Sequence, residues 1–165
     1  MPDLTDRLAA ARAALDELIR AADACAGVWA IPAAPGKWSP AQVVEHVARS
    51  FEAGALDLVG KRSGLVNLPA PVRFVARKLL FERVLARGRF PRAKTNGAMD
   101  PVAGSASPAE AADRLDGVWR RFADACAAAS GDLARSRVFG NVPIAAYVQF
   151  HELHARHHTA QMVRT

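Results

Sequence analysis

The sequence predicts an all-α fold, and three observations carry that expectation. Apolar residues recur at helical spacing through most of the chain's long segments. Two of these segments open on the same start signal, Ser39-Pro40 and Ser107-Pro108, each followed by Gln or Glu at the third helical position. The core is supplied by Ala and Leu, with aromatics at only 7% of 165 residues, a composition that suits helices better than a β-sandwich. That length is expected to form one domain over residues 1–165, large enough to bury a substantial core.

The first helix is predicted from about Thr5 to Cys25, where Leu4, Leu8, Leu15, Leu18, Ile19 and Ala22 fall on one stripe and Gly27 offers a stop. A loop follows to Lys37, punctuated by Pro32, Pro35 and Gly36. The second helix has the clearest start: Ser39 as N-cap, Pro40 at the first position, Gln42 completing a capping box. Trp38 is placed to staple against Val43. Val43, Val44, Val47, Phe51, Ala55 and Leu58 define its buried stripe, and His46 lies on the edge of that stripe beside Val43 and Ser50.

After a loop over Lys61–Ala70, a basic amphipathic helix is predicted from about Pro71 to Ala86, with Phe74, Val75, Leu79, Phe81 and Val84 between Arg and Lys. The stretch from Gly88 to Ser107 has no sustained period and reads as an extended surface crossover between helices that are not short-loop neighbours. From Ser107 a further helix runs to about Ala129, with Gly131 as terminator. Val138–Val142 reads as a short turn or extended piece, and Pro143 as the opening of the last helix.

No apolar run approaches the roughly 18 residues of a membrane span, and Met1–Asp6 carries no basic stretch leading into an apolar one, so the expectation is a cytoplasmic protein. Cys25 and Cys126 lack metal-type spacing and read as two small buried hydrophobes. The net charge of +6 is concentrated. Between Val72 and Lys94 lie eight basic residues, Arg73, Arg77, Lys78, Arg83, Arg87, Arg89, Arg92 and Lys94, against the single acid Glu82. An anionic partner would meet this segment first. No helix-turn-helix or other reading motif accompanies it, so specific nucleic-acid binding is not expected, nor is membrane association.

The chemistry gathers at the other end. Four of the five histidines, His151, His154, His157 and His158, lie within eight positions of the last helix. His154 and His158 stand at i,i+4 and project from one helical face, spacing that suits two neutral imidazoles on one divalent cation. His151 points roughly the same way, while His157 is rotated off the stripe. Burying several imidazoles without a common partner leaves ring nitrogens to satisfy one by one, each costing about 1–3 kcal/mol if unpaired. A metal site on a helical scaffold resolves this; a hydrogen-bonded or pH-sensing cluster is the alternative. The string His151-Glu152-Leu153-His154 is one residue short of the His-Glu-x-x-His of zinc proteases.

Two motifs together resemble one family. Trp38-Ser39-Pro40-Ala41-Gln42-Val43-Val44-Glu45-His46-Val47-Ala48 looks like the second-helix signature of the DinB/YfiT-like superfamily, and His154-Ala155-Arg156-His157-His158-Thr159-Ala160-Gln161 is similar to its C-terminal H-x-x-H-H-x-x-Q. Order, spacing and length agree over essentially the whole chain. The resemblance implies an antiparallel four-helix bundle with a long crossover, to which the basic amphipathic helix is extra. It also implies a mononuclear divalent metal held by His46, His154 and His158. Gln161 and His157 match family positions without being expected ligands; Gln161 is a candidate to orient a ligand. His151 lies outside the motif and is read as a neighbour of the site, a proton shuttle or a partly buried polar residue. Tyr147 is read as lying near the site mouth.

Three protein ligands leave coordination positions open, as in catalytic rather than structural zinc sites. The resemblance implies a metal-dependent enzyme acting on a small molecule, either a thiol S-transferase using a bacterial low-molecular-weight thiol or a hydrolase. The alternatives are a metal-stabilised binding or stress-response module without turnover, and a basic surface, with Arg73, Arg77, Lys78, Arg83 and Arg87 at its centre, that meets nucleic acid or membrane or draws in an anionic substrate. Zinc or nickel is the leading metal, with iron or manganese also compatible with imidazole. A homodimer through outer helical faces is a further expectation.

Overall fold

Helices dominate a computed structural model of the chain, which describes residues 3–61, 67–91 and 99–162. Helix α1 spans Leu4–Ala24 and is capped by the Asp3 carboxylate, which accepts from the Asp6 N–H at 2.8 Å. A short 3₁₀ turn, Ala26–Val28, follows. Helix α2 spans Pro40–Leu58 and begins on a reciprocal capping box: Ser39 Oγ accepts from the Gln42 N–H while Gln42 Oε1 accepts from the Ser39 N–H. Helix α5 spans Pro108–Ala128, with Ser107 Oγ accepting from the Glu110 N–H. Helix α6 spans Ile144–Met162.

α1 packs most extensively on α6, and α2 on α5, with α2 also against α6 and α1 against α5. Leu15, Leu18, Val44, Val47, Phe51, Leu115, Val118, Phe122 and Val148 fill the space between them and are fully buried. Phe51 and Phe122 meet edge to face at 5.1 Å, an arrangement their ring quadrupoles favour. Ion pairs span the rims: Arg12 to Asp116 between α1 and α5, Arg114 to Glu45 and Glu52 between α5 and α2, and Arg156 to Glu17 between α6 and α1. These are partly exposed and contribute less than the apolar core.

The basic helix differs from the regular amphipathic rod predicted over Pro71–Ala86. It consists of α3, Ala70–Ala76, a π-helical turn, Arg77–Phe81, and α4, Glu82–Arg87. The extra residue of a π turn shifts the buried face partway along. Phe81 and Val84 therefore enter the core, while Phe74 and Leu79 remain 61% and 62% exposed. Two aromatic contacts anchor the rod: Phe81 lies 5.2 Å from both Phe139 and Phe150. α4 ends at Gly88, whose φ of 62° is left-handed.

The short turn or extended piece expected over Val138–Val142 proves to be part of a small sheet. β1, Leu133–Ser136, pairs antiparallel with β2, Gly140–Pro143, so the chain is mostly but not wholly helical. Ser136 Oγ accepts from the Val138 and Phe139 N–H groups across the turn. Pro143 closes β2 rather than opening α6; at the end of a two-stranded ribbon its missing N–H costs no ladder bond.

The predicted Lys61–Ala70 loop and Gly88–Ser107 crossover each lie partly outside the described residues, as do Arg92 and Lys94. The described end of the crossover runs along α2. Gln42 Nε2 donates to the Pro101 carbonyl, Trp29 Nε1 to the Ser105 carbonyl, and Arg49 to the Asp100 carbonyl. Gly104 sits so close that a Cβ there would collide with the Ala41 carbonyl, so only glycine fits. Among the described residues no helix is long and apolar enough to cross a membrane.

Candidate metal centre

The Ser39 capping box sets the register of α2, and two turns later that register points His46 at α6. On α6, His154 and His158 lie one turn apart. The three side chains meet at their Nε2 atoms: His46 Nε2 and His158 Nε2 each lie 3.0 Å from His154 Nε2. Nitrogens bound at about 2.0–2.1 Å to one cation lie roughly 3 Å apart, so this spacing fits a common ion. Among the described residues, this is the one group of three or more His, Cys, Asp or Glu placed to hold a metal ion.

Proton accounting makes the same point. His46 Nδ1 lies 2.9 Å from the Met99 carbonyl, which can only accept, so Nδ1 carries the hydrogen and Nε2 presents a bare lone pair. His158 Nδ1 lies 2.9 Å from Gln161 Oε1, and the Gln161 amide N–H₂ donates to His157 Nε2 at 3.0 Å. With Gln161 so oriented, His158 Nε2 is bare as well. Both lone pairs face His154 Nε2, which has at most one hydrogen to give, and charging the ring does not add a second there. At least one buried acceptor is thus unsatisfied within the cluster. A single cation answers all three.

All three rings are buried, with exposures of 4%, 9% and 5% for His46, His154 and His158. Burial pushes each below the ordinary histidine range. For His46 the Met99 hydrogen bond opposes that shift; His154 is lowered further by its histidine neighbours, and His158 is held down to about 3. The rings are therefore neutral at ordinary pH, as metal ligands must be. One loose end is His154 Nδ1, buried without a hydrogen-bond partner, so this imidazole lacks the outer acceptor that usually orients a ligand.

Comparison with protein-family models matches residues 7–162 to the DinB superfamily. The chain belongs to the DinB superfamily. Comparison with curated proteins and with solved structures yields no match.

Around the DinB histidine cluster stand residues whose roles the sequence reading missed. The Trp38 indole, expected to staple against Val43, also lies 4.8 Å from the His46 ring and 6.2 Å from the His158 ring, and its Nε1 donates to Asp100 at 2.9 Å. Phe90 packs 5.2 Å from His154 and 5.6 Å from His157. Met99 contributes only a backbone carbonyl, which has no signature in sequence. The one available signal was the aromatic residue immediately before the capping box.

The other predicted positions separate. Gln161 bridges His158 and His157, so both adjoin the cluster. His151 does not join the three convergent nitrogens. It lies in the core with Phe51, Phe122 and Tyr147 around it, its Nδ1 3.2 Å from Ser50 Oγ and its Nε2 without a partner. Tyr147, read as lying near the site mouth, is 3% exposed, and its hydroxyl donates to Asp57 Oδ2 at 3.1 Å. Seven residues before His154 on a helix is about 10 Å away, so this tyrosine supports the hairpin end of the core.

The basic patch also divides. Arg73 bonds Asn67, Arg77 bonds Glu82 and the Asn141 carbonyl, and Lys78 bonds Glu82. Arg83 and Arg87 lie on the side facing His157 and Gln161. Both cysteines are buried, and burial pushes the Cys126 thiol up to about 12, so it is no nucleophile.

Proposed function

We propose that this chain is a metal-dependent enzyme, an antiparallel four-helix bundle of α1, α2, α5 and α6 that holds one divalent cation on Nε2 of His46, His154 and His158. The observation that carries the reading is the convergence of three buried Nε2 atoms, two of them deprived of hydrogen by acceptors at Nδ1. When bound, such a cation acts as a Lewis acid that lowers the pKa of a coordinated thiol or water. The chain's own residues bind and orient. Met99 and Gln161 fix two ligand tautomers, and Trp38 and Phe90 exclude water from two sides of the cluster. The buried cysteines leave a thiol to be supplied by a low-molecular-weight cosubstrate. The reaction classes that follow are S-transfer from such a thiol to a small molecule, or hydrolysis. Zinc or nickel suits an all-imidazole site; iron and manganese also accept it.

Elemental analysis of the purified, untagged protein beside a His46→Ala/His158→Ala variant tests the site. Near-stoichiometric metal in the first and none in the second is the expected result. No metal in either after incubation with zinc and nickel would remove the enzyme reading.

A second reading has its own observation. All three candidate ligands are nearly closed to solvent, which suits a metal-stabilised binding module without turnover. Cobalt substitution separates the two: exogenous thiol shifts the visible spectrum of an open site and leaves that of a closed one unchanged.

A further inference from the structure

Beside the histidine cluster runs a cleft of about 850 Å³, bounded by the π turn, α4, the residues after it and the last turns of α6. Leu79, Leu80, Val84 and Phe90 supply apolar surface. Arg83, Arg87 and Arg89 supply charge along one side, and His157 and Gln161 form the end nearest the histidines. Arg83 and Arg87 stand at i,i+4 and share a helical face. The left-handed turn at Gly88 then brings Arg89 and Phe90 back over the same opening.

Two features distinguish these arginines from an ordinary solvated face. Arg73, Arg77 and Lys78, earlier on the same rod, are each engaged by a carboxylate, an amide or a carbonyl. Arg83, Arg87 and Arg89, all exposed, make no ion pair or hydrogen bond with any described residue, and the rod's acid, Glu82, is taken by Arg77 and Lys78. Three guanidinium groups without a partner among the described residues therefore line one partly apolar cleft, each able to grip a carboxylate or phosphate in a bidentate way. One end of that surface is a single hydrogen bond from His158, through Gln161.

We infer that this cleft is an anion subsite, taking a small organic molecule with an apolar body and a carboxylate or phosphate head. Arg83 and Arg87 grip the head; Leu79, Leu80 and Phe90 take the body. As a statement about substrate class it rests on the metal-enzyme reading; as a binding site it stands without it. The molecule's far end then lies toward His157 and Gln161, at the edge of the candidate metal centre.

Calorimetric titration of the full chain, metal-loaded and after chelation, tests this with phenyl phosphate and phenylacetate, and with phenylacetamide as the neutral counterpart. The two anions should saturate one site and phenylacetamide should not. Arg83→Gln/Arg87→Gln should weaken anion binding at least tenfold, whereas Arg20→Gln/Arg120→Gln, which removes equal charge elsewhere, should leave it within about twofold. All the substituted arginines are exposed, and matching thermal midpoints confirm that the variants fold. Binding that survives chelation and is lost with Arg83 and Arg87 supports the subsite even if the chain proves to hold no metal. Binding abolished by chelation but indifferent to these arginines would place the anion on the metal and overturn it. So would equal losses in both double variants, equal binding of phenylacetamide, or no saturable binding.

Discussion

Gly54 on α2 faces His151 on α6 so closely that a Cβ at position 54 would lie 2.8 Å from the imidazole Nε2. The same Cβ would come within 2.9 Å of Phe122 Cε2 on α5, so three helices close on one missing side chain. Gly54→Ala should therefore destabilise the protein. Overpacking a tight core costs about 1–3 kcal/mol, while the gain in helix propensity returns only about 0.5–1 kcal/mol. Thermal denaturation reads the result, and an unchanged or higher midpoint would mean that the ring moves aside freely.

Tyr147→Phe should cost about 1.5–3 kcal/mol, because the lost hydroxyl is a donor to a buried carboxylate. Asp57 is 1% exposed, and its Oδ2 also accepts from the Arg137 N–H. Urea unfolding measures the loss. Metal content should be unaffected, since Tyr147 is about two turns from His154; a change in metal content would show that the tyrosine reaches the histidine cluster after all.

Acid should weaken the metal-free protein over a defined window. Burial holds His151 and His158 down to about 3 in the folded chain, whereas unfolded histidine titrates near ~6.5. Between those values the unfolded chain binds protons that the folded one refuses. Stability is therefore complete above about pH 6.5 and falls as pH drops toward 3. Each such group contributes up to about 1.4 kcal/mol per pH unit. Urea titrations at pH 7.5, 6 and 5 should show the decline, and His151→Leu should make it shallower. A flat response would mean that these rings take up protons without unfolding the chain.

Gln161→Leu leaves His158 Nδ1 without its acceptor. On the metal reading, affinity should fall roughly 10–100-fold by chelator competition. Gln161→Glu, which keeps an acceptor in place, should stay close to the parent. Equal affinities in all three proteins would show that Gln161 does not orient the ring.

What could be read from the chain was whatever is encoded over a few residues. Ser39-Pro40-Ala41-Gln42 and Ser107-Pro108-Ala109-Glu110 announce helix starts because capping is local chemistry, and both helices begin there. The i,i+4 spacing of His154 and His158 announces a shared face for the same reason, and their Nε2 atoms lie 3.0 Å apart. What escaped depends on parts distant in sequence. No pattern marks the Met99 carbonyl as the acceptor for His46, or Gly104 as the point where crossover and α2 touch. Trp38 reads locally as a staple on Val43, and its place against the His46 ring depends on the fold. The π turn in the basic rod has no compositional mark, so which of its apolar residues turn inward could not be read from spacing. Four-residue strands are too short to show alternation.

The partner nitrogens of His46 and His154 are separated by 108 positions in the chain. On a ribosome, His46 emerges while α5, β1, β2 and α6 are still unmade, and one imidazole alone holds a cation weakly. His154 and His158 arrive only with α6, after the crossover that supplies the Met99 carbonyl. On the metal reading, a cation is captured there only once α6 has been made and has met α2. Loading then waits for two helices made far apart in time, and it rivets α2 to α6.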